Sequence, residues 1–102
     1  MAAIEADKWA IGVDSDQYLT SGDETAQAHI LTSMIKRVDV AVFETIKASV
    51  NGDKSGGIKM FDLSNDGVGY STSGGYLDDV VDQLEEIKAK IVAGEIEVPS
   101  MP

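Results

Sequence analysis

A short apolar segment that ends abruptly at acidic residues places the strongest constraint on the fold of this chain. Residues 9–13 are largely apolar, and Asp14, Ser15 and Asp16 follow directly. Such a run is typical of a parallel strand that is covered on both faces. Ligands in open α/β sheets bind just beyond the carboxyl ends of such strands. Asp14 is therefore a candidate ligand contact, although an acid here could equally cap the next element or face water.

The size and charge of the chain exclude several classes of protein. Its 102 residues suffice for one small domain, and 43% of them are hydrophobic, as in a globular protein. A formal charge of −10 would repel a phosphate backbone, so nucleic acid is not expected as a partner. Because the chain has no cysteine, thiolate catalysis and cysteine-ligated metal sites are excluded. No cofactor is expected.

The first half of the chain predicts a strand–loop–strand–helix order. Residues 29–35 suit either a strand or the start of a helix, and a strand is favoured because a helix over residues 24–50 would be unusually long for so small a domain. Residues 17–28 are polar and predict a loop, with a short helical turn as an alternative. Residues 37–51 place apolar side chains at helical spacing, which predicts an amphipathic helix.

A turn signal lies in the middle of the second half. Residues 58–63 can form a strand, and residues 64–67 carry Asp-Gly turn chemistry before residues 68–71 (VGYS). The pair predicts either a hairpin or a strand that bends between two lobes. The same stretch begins like a calcium loop at Asp62, but Ser73 stands where that motif needs a bidentate glutamate.

The chain ends with a clear helix signal. An apolar stripe from about residue 76 to residue 93 predicts the last helix, and Gly94 follows as its C′ residue. Residues 95–98 alternate like a short edge strand, which Pro99 and Pro102 would close.

Two cations, Lys36 and Arg37, lie where the longer helix of the first half is predicted to begin. Positive charge opposes the helix dipole there by roughly 0.3–1 kcal/mol, so an acid should compensate. Asp39 could pair with either cation at the surface. The other interpretation is that Lys36 meets an anionic or polar partner in a cleft.

Asp14 and Asp16 together form a D-x-D pattern. Two carboxylates at this spacing can hold a divalent cation, but acids are common in this chain, so a hydroxyl-binding or merely solvated role is favoured and no metal ligand is assigned. A metal-dependent enzyme using this pattern is the least favoured function. No obvious nucleophile or general base accompanies the acids, so the protein is not expected to be an enzyme.

Several of these segments resemble one family of proteins. Residues 10–17 (AIGVDSDQ), residues 30–41 (ILTSMIKRVDVA), residues 61–63 (FDL) and residues 66–69 (DGVG) are similar to the basic membrane protein family. These are purine-nucleoside receptor lipoproteins, the substrate-binding components of ABC importers. The likeness extends over nearly the whole chain, but it matches only the C-terminal third of the family's members.

The resemblance implies an α/β fold of the type I periplasmic-binding-protein kind, with two lobes and a parallel sheet. This chain would be a fragment holding about half of the second lobe, the last crossover and the C-terminal helix. Residues 1–66 would form the βαβ portion of the C-terminal lobe. Residues 67–102 would form the crossover segment and the terminal helix, which would pack on the missing first lobe.

The resemblance also implies a function and its residues. Asp14 matches the acid that binds the ribose hydroxyls, Lys36 matches the lysine that also reaches the ligand, and Asp16 would be a neighbour of the site. The implied partners are a purine nucleoside and, in the full-length protein, an ABC transporter permease. The implied location is extracytoplasmic, as a membrane-anchored lipoprotein.

The alternative to ligand binding is a structural role. Residues 1–5 lack the basic start and apolar core of a signal peptide, and there is no cysteine for a lipid, so neither a signal nor an anchor is expected in this chain. A fragment without its first lobe would expose apolar faces. It could then self-associate to cover them and bind no ligand of its own.

Overall fold

The computed structural model describes residues 1–101, in which three strands and five α-helices form. No helix in this part of the chain combines the length and the apolar character that crossing a bilayer requires. Two 3₁₀ turns span Leu63–Asn65 and Asp78–Val80. The other elements, in chain order, are α1 (Ala2–Glu5), β1 (Ala10–Asp14), α2 (Gln17–Thr20), α3 (Glu24–Gln27), β2 (Ile30–Lys36), α4 (Val38–Val50), β3 (Val68–Tyr70) and α5 (Val81–Val92).

The three strands form one mixed sheet in the order β1-β2-β3. β1 and β2 are parallel, with Asp14 opposite Ile35, and β3 is antiparallel to β2, with Val68 opposite Lys36. The carboxyl ends of β1 and β2 therefore lie at the same edge of the sheet. The predicted α/β class and both strands of the first half are confirmed, and the arrangement is consistent with part of a type I periplasmic-binding-protein fold.

The buried interior of the chain is small. Its radius of gyration is 16.6 Å, whereas a compact chain of this length has about 13 Å. Its accessible surface is 7556 Å², against about 5,500 Å² for a compact protein of this mass. The buried side chains lie on β2, on α3 and in the segment after β3, and they are Ile30, Ser33, Ala26, Ser71 and Leu77.

β1 is not covered on both faces, so that part of the prediction is wrong. Ile11 is 65% exposed and Val13 is 50% exposed, while Gly12 is buried. One reason is that α4 makes at most marginal contact with any other helix or strand of residues 1–101 and so does not cover it. The predicted helix is present, but most of its apolar side chains are more than half exposed, namely Val38, Val42, Phe43, Ile46 and Val50.

The predicted strand over residues 58–63 is wrong, and β3 pairs with β2 instead of with that segment. Local hydrogen bonds explain the difference. The Asp62 carboxylate accepts the N–H of Ser64 at 2.8 Å, and the Asn65 side chain accepts the N–H of Asp62 at 2.8 Å. Side chains that bind neighbouring backbone groups compete with a strand ladder, and here they produce the 3₁₀ turn.

The predicted loop over residues 17–28 contains two short helices, α2 and α3. The carboxylate of Asp23 accepts the N–H of Thr25 at 2.9 Å, which caps the first turn of α3. The helical alternative for this stretch is therefore the correct one.

The last helix, α5, is shorter than predicted, and the strand predicted over residues 95–98 is wrong. Gly94 has φ +81° and is the C′ residue, as predicted. The N–H of Glu95 donates to the carbonyl of Lys90 at 2.9 Å, which is the long bond of a Schellman motif. Pro102, the second proline predicted to close the edge strand, lies outside the described residues.

Candidate functional site

Asp14 and Lys36 form an exposed ion pair at the carboxyl edge of β1 and β2. Lys36 Nζ lies 2.8 Å from Asp14 Oδ1, and the two side chains are 59% and 64% exposed. The register of the parallel strands produces this contact, because Asp14 lies opposite Ile35, the residue before Lys36. The structure thus brings together the two residues that the sequence singled out.

The backbone at Asp14 is strained. Its φ is +75°, and the N–H of Ser15 donates to the carbonyl of Val13 at 3.0 Å across it, as in the rare γ-turn with a central φ of about +75°. Aspartate tolerates the left-handed region better than most residues, but the conformation still costs on the order of 1–3 kcal/mol. Such strain persists only where surrounding contacts hold it, and it is concentrated at functional sites.

Asp16 and two serines, Ser71 and Ser73, form what we call the Asp16–serine cluster. Asp16 Oδ2 accepts a hydrogen bond from Ser71 Oγ at 2.6 Å and another from Ser73 Oγ at 2.5 Å. The N–H of Ser73 in turn donates to Ser71 Oγ at 3.1 Å. The cluster joins the segment that follows β1 to the segment that follows β3.

The Asp16–serine cluster keeps its carboxylate ionised. Burial is the largest single influence and acts to raise the pKa of Asp16, but the hydroxyls of Ser71 and Ser73, with the backbone N–H groups of Leu19 and Tyr18, lower that pKa below its ordinary value of 3.8. The other oxygen, Asp16 Oδ1, is buried and accepts no hydrogen bond of good geometry from residues 1–101. Asp16 is therefore a charged group turned toward the protein.

A fully buried serine, Ser33 on β2, binds the segment that follows β1. Ser33 Oγ accepts the N–H of Gln17 at 3.1 Å, and Gln17 Nε2 donates to the carbonyl of Val13 at 3.1 Å. Gly12 is required for this approach, because a Cβ there would lie 2.5 Å from Ser33 Oγ. A side chain at Gly12 would push β1 away from Ser33.

Arg37 pairs with Asp39, which leaves Lys36 for Asp14. Arg37 Nε and Nη2 each lie 3.0 Å from an oxygen of the Asp39 carboxylate. The hydrogen bond from Arg37 lowers the pKa of Asp39, and the bond to Asp39 raises the pKa of Arg37. Of the two pairings predicted for Asp39, the structure forms the one with Arg37.

The two acids of the D-x-D pattern face different partners. Asp14 contacts Lys36, whereas Asp16 contacts the two serines of its cluster. Within residues 1–101, no group of three or more His, Cys, Asp or Glu side chains is placed to hold a metal ion.

Sequence reasoning missed the serines of the Asp16–serine cluster and the need for Gly12. Ser71 and Ser73 lie in a glycine-rich stretch that indicates only turns. The available signal was weak: two serines with one residue between them, the first of which ends the segment 68–71. The buried Ser33 in the middle of an apolar strand was the stronger signal, since a buried hydroxyl needs a partner.

Comparison with known proteins identifies the family. The model of the Bmp family, described as ABC transporter substrate-binding protein PnrA-like, matches residues 3–101. This chain belongs to the Bmp family. The resemblance of the sequence to basic membrane proteins is therefore confirmed.

Several curated proteins are similar to this Bmp-family chain. It is 42% identical over 100 residues to the CD4+ T-cell-stimulating antigen of Listeria monocytogenes and, with the same identity, to that of Listeria innocua; each match covers 92% of this chain and 28% of the relative. An uncharacterized lipoprotein of Pyrococcus abyssi is 43% identical over 61 residues, covering 60% of this chain and 14% of the relative. The chain thus spans less than a third of the length of these relatives.

Proposed function

We propose that this chain contributes ligand contacts to a nucleoside-binding protein of an ABC importer, with Asp14 and Lys36 as the pair that binds the ribose. The observation that carries the proposal is the 2.8 Å contact between Lys36 Nζ and Asp14 Oδ1 at the carboxyl ends of adjacent parallel strands. Membership of the Bmp family supports a solute-binding, non-catalytic role in general.

The chemistry of the pair suits a sugar with neighbouring hydroxyls. The Asp14 carboxylate can accept hydrogen bonds from two hydroxyls at once, and the Lys36 ammonium group has three donors. Bonds to charged groups are stronger than bonds between neutral groups. Both side chains are more than half exposed, so a ligand can approach them from solvent.

Stability alone does not account for the pair. An exposed ion pair contributes about 0–1 kcal/mol to folding, whereas the positive φ at Asp14 costs on the order of 1–3 kcal/mol. A pair that served only to stabilise the fold would not need this strained turn. The balance supports a role for Asp14 in binding.

We assign residues 1–66 to the C-terminal lobe of a two-lobed protein, and residues 67–102 to the crossover segment and terminal helix that pack on its first lobe. The 28% share of the Listeria relatives that this chain spans supports a fragment of a longer polypeptide. The exposed apolar side chains of α4 and β1 fit such a piece, because their covering elements would lie elsewhere. Other parts of that polypeptide would contact the purine base.

The proposed partners and location also follow from the family. A substrate-binding protein passes its ligand to an ABC transporter permease, so the full-length protein would contact one. An extracytoplasmic, membrane-anchored location is supported by relatives from Pyrococcus abyssi and Pyrococcus horikoshii that are named lipoproteins.

Isothermal titration calorimetry with inosine, guanosine and adenosine tests the proposal. The titrations use the 102-residue chain and a chimera in which it replaces the matching 28% of the Listeria monocytogenes relative. We expect binding by the chimera and weak or no binding by the chain alone, because small ligands are normally enclosed on most sides. A folded chimera that binds none of the three nucleosides would reject the proposed ligand.

Asp14→Ala and Asp39→Ala form a matched pair of variants for the same titration. Each removes an exposed aspartate that pairs with a cation, but only Asp14 lies at the carboxyl edge of β1. We expect Asp14→Ala to weaken binding and Asp39→Ala to leave it unchanged. Equal affinities in the two variants would contradict the assignment of Asp14 even if a nucleoside binds.

Self-association is the second candidate function, and the exposed apolar side chains of α4 favour it. Phe43 is 63% exposed and Ile46 is 59% exposed on this helix, and β1 offers an unpaired edge. The formal charge of −10 opposes association at low salt. Light scattering at increasing salt shows whether apolar attraction or charge repulsion prevails. A dimer that Phe43→Lys dissociates supports self-association, and a monomer under all conditions rejects it.

A further inference from the structure

We propose that Asp16 is a positioning residue: the Asp16–serine cluster holds the left-handed turn at Asp14 and so directs the Asp14 carboxylate toward Lys36 and the ligand. The part of this statement that concerns the ligand rests on the proposed nucleoside-binding function. The part that concerns the turn does not.

The turn at Asp14 must be held from both sides. On its N-terminal side, β1 pairs with β2 up to the register position of Asp14 and Ile35. Among residues 1–101, the backbone bond that crosses the turn is the 3.0 Å bond from the N–H of Ser15 to the carbonyl of Val13. A three-residue turn with a positive φ at a non-glycine residue is strained, so contacts on the C-terminal side must prevent its relaxation.

Asp16 supplies the first of those contacts, and its partner is itself fixed to β2. Ser71 is only 3% exposed. Its N–H donates to the carbonyl of Ser33 at 2.9 Å, and its carbonyl accepts from Thr32 Oγ1 at 2.7 Å. Because Ser33 and Thr32 belong to β2, the strand that carries Lys36 also anchors the serine that holds Asp16. The position of Lys36 and the position of the turn at Asp14 therefore both depend on β2.

Gln17 supplies the second contact and closes a ring around the turn. Its backbone N–H donates to Ser33 Oγ at 3.1 Å, and its side chain returns to the carbonyl of Val13 at 3.1 Å. Gln17, after the turn, is thus bound both to the buried Ser33 and to Val13 on the other side of the turn. Asp14 lies within this ring, and its side chain is 64% exposed.

The orientation of Asp16 excludes it from direct contact with the ligand. One carboxylate oxygen, Oδ2, is occupied by the hydroxyls of Ser71 and Ser73, and the other, Oδ1, is buried. Neither oxygen remains for a ligand at the open edge. Asp16 therefore acts through Asp14, and the expectation that it is a neighbour of the site becomes a specific structural role.

Nuclear magnetic resonance of the 102-residue chain reads the turn directly. The intraresidue NOE between Hα and HN of Asp14 is strong at a positive φ and weak in an extended backbone. We compare Asp16→Ala and Ser73→Ala, which remove partners from the cluster, with Thr72→Ala, which alters the exposed residue between the two serines. Ser73→Thr serves as the conservative variant, because it keeps the hydroxyl.

We expect the Asp14 NOE to weaken in Asp16→Ala and Ser73→Ala and to stay strong in Thr72→Ala and Ser73→Thr, while the amide signals of β2 stay unchanged. Nucleoside affinity of the chimera should fall by roughly tenfold in the first two variants only. If Asp16→Ala does not fold, Ser73→Ala decides. A strong Asp14 NOE in folded Ser73→Ala, or a weakened NOE with unchanged affinity, would overturn the proposal.

The two proposals fail in different ways. If the unsubstituted chimera binds no nucleoside, the proposed function is rejected, and the NOE still decides whether the Asp16–serine cluster holds the turn. If nucleoside binds and Asp14→Ala abolishes binding while the cluster variants do not alter it, the function stands and the positioning role is rejected.

Discussion

Asp14 and Asp16 are separated by one residue, yet they lie in opposite environments. Asp14 extends into solvent and pairs with Lys36 at 2.8 Å. Asp16 turns inward and accepts hydrogen bonds from Ser71 and Ser73 at 2.6 and 2.5 Å. The positive φ of Asp14 makes the difference, because it reverses the chain between the two acids.

We infer that the two acids serve different purposes, Asp14 for ligand binding and Asp16 for the stability of the fold. A charged pair in water contributes little to folding, since solvent competes for both partners. A buried acceptor that loses its donors, or buried donors that lose their acceptor, cost the free energy of desolvation. We therefore expect the hydrogen bonds of Asp16 and Ser33, which we call the inner contacts, to determine the stability of this edge. The exposed pair of Asp14 and Lys36, which we call the outer pair, would remain free for a ligand.

The largest expected effect is that of Gly12→Ala, which breaks the inner contacts. The added Cβ would lie 2.5 Å from Ser33 Oγ, so we expect the free energy of unfolding to fall by roughly 1–3 kcal/mol. Gly69→Ala on β3 is the matched control, because a Cβ there meets no atom within 4 Å. Urea unfolding followed by the fluorescence of the single tryptophan, Trp9, measures both variants. Equal stabilities would show that β1 can move away from Ser33 without cost.

Asp16→Asn should have the next largest effect. It removes the charge that accepts the hydroxyls of Ser71 and Ser73, so we expect a loss of about 1 kcal/mol in the free energy of unfolding. Asp39→Asn, at an exposed pair with Arg37, should change it by less than about 0.5 kcal/mol. The same urea titration compares them, and a larger effect from Asp39→Asn would reverse the distinction between inner and exposed acids.

Acid should weaken the inner contacts through Asp16. Its pKa is lowered in the folded chain, so the stability that it contributes is present above the ordinary value of 3.8 and is lost as the pH falls through the lower folded value. The difference in unfolding free energy between the natural chain and Asp16→Asn should therefore shrink as the pH falls from about 5 to about 2. A difference that stays constant over this range would contradict a lowered pKa.

The smallest expected effect on stability is that of Lys36→Met. The side chain is 59% exposed in its pair with Asp14, so its loss should change the free energy of unfolding by less than about 0.5 kcal/mol. Nucleoside affinity of the chimera should nevertheless fall, because the ammonium donors are lost. If urea unfolding shows that Lys36→Met lowers the free energy of unfolding by well above 1 kcal/mol, the pair of Asp14 and Lys36 stabilises the fold, and the contrast with Asp16 is lost.

Much of this molecule could be predicted because its signals are local. The apolar run before Asp14 and the run before Lys36 both became strands, and the helical spacing after Arg37 became α4. Gly94 became the C′ residue of α5, since few other residues adopt its φ of +81°. The candidate pair followed from one topological rule, which places the ends of parallel strands at one edge.

The wrong predictions arose where a competing contact decided the structure. Residues 58–63 have strand-forming composition, but the side chains of Asp62 and Asn65 bind the neighbouring backbone and form a 3₁₀ turn. Residues 95–98 alternate like a strand, but they find no neighbouring strand to pair with among the described residues. Burial of β1 was wrong because it depends on other elements packing over it, which strand periodicity cannot specify.

By itself, the sequence determined the strand ends that present Asp14 and Lys36, the two longer helices and the family to which the chain belongs. Only the tertiary structure decided that β3 pairs with β2 and that Asp16 faces the protein. The partners of Asp16 are 55 and 57 residues away along the chain. Propensities and caps act over a few residues, whereas contacts at such separations depend on how whole strands pack and pair.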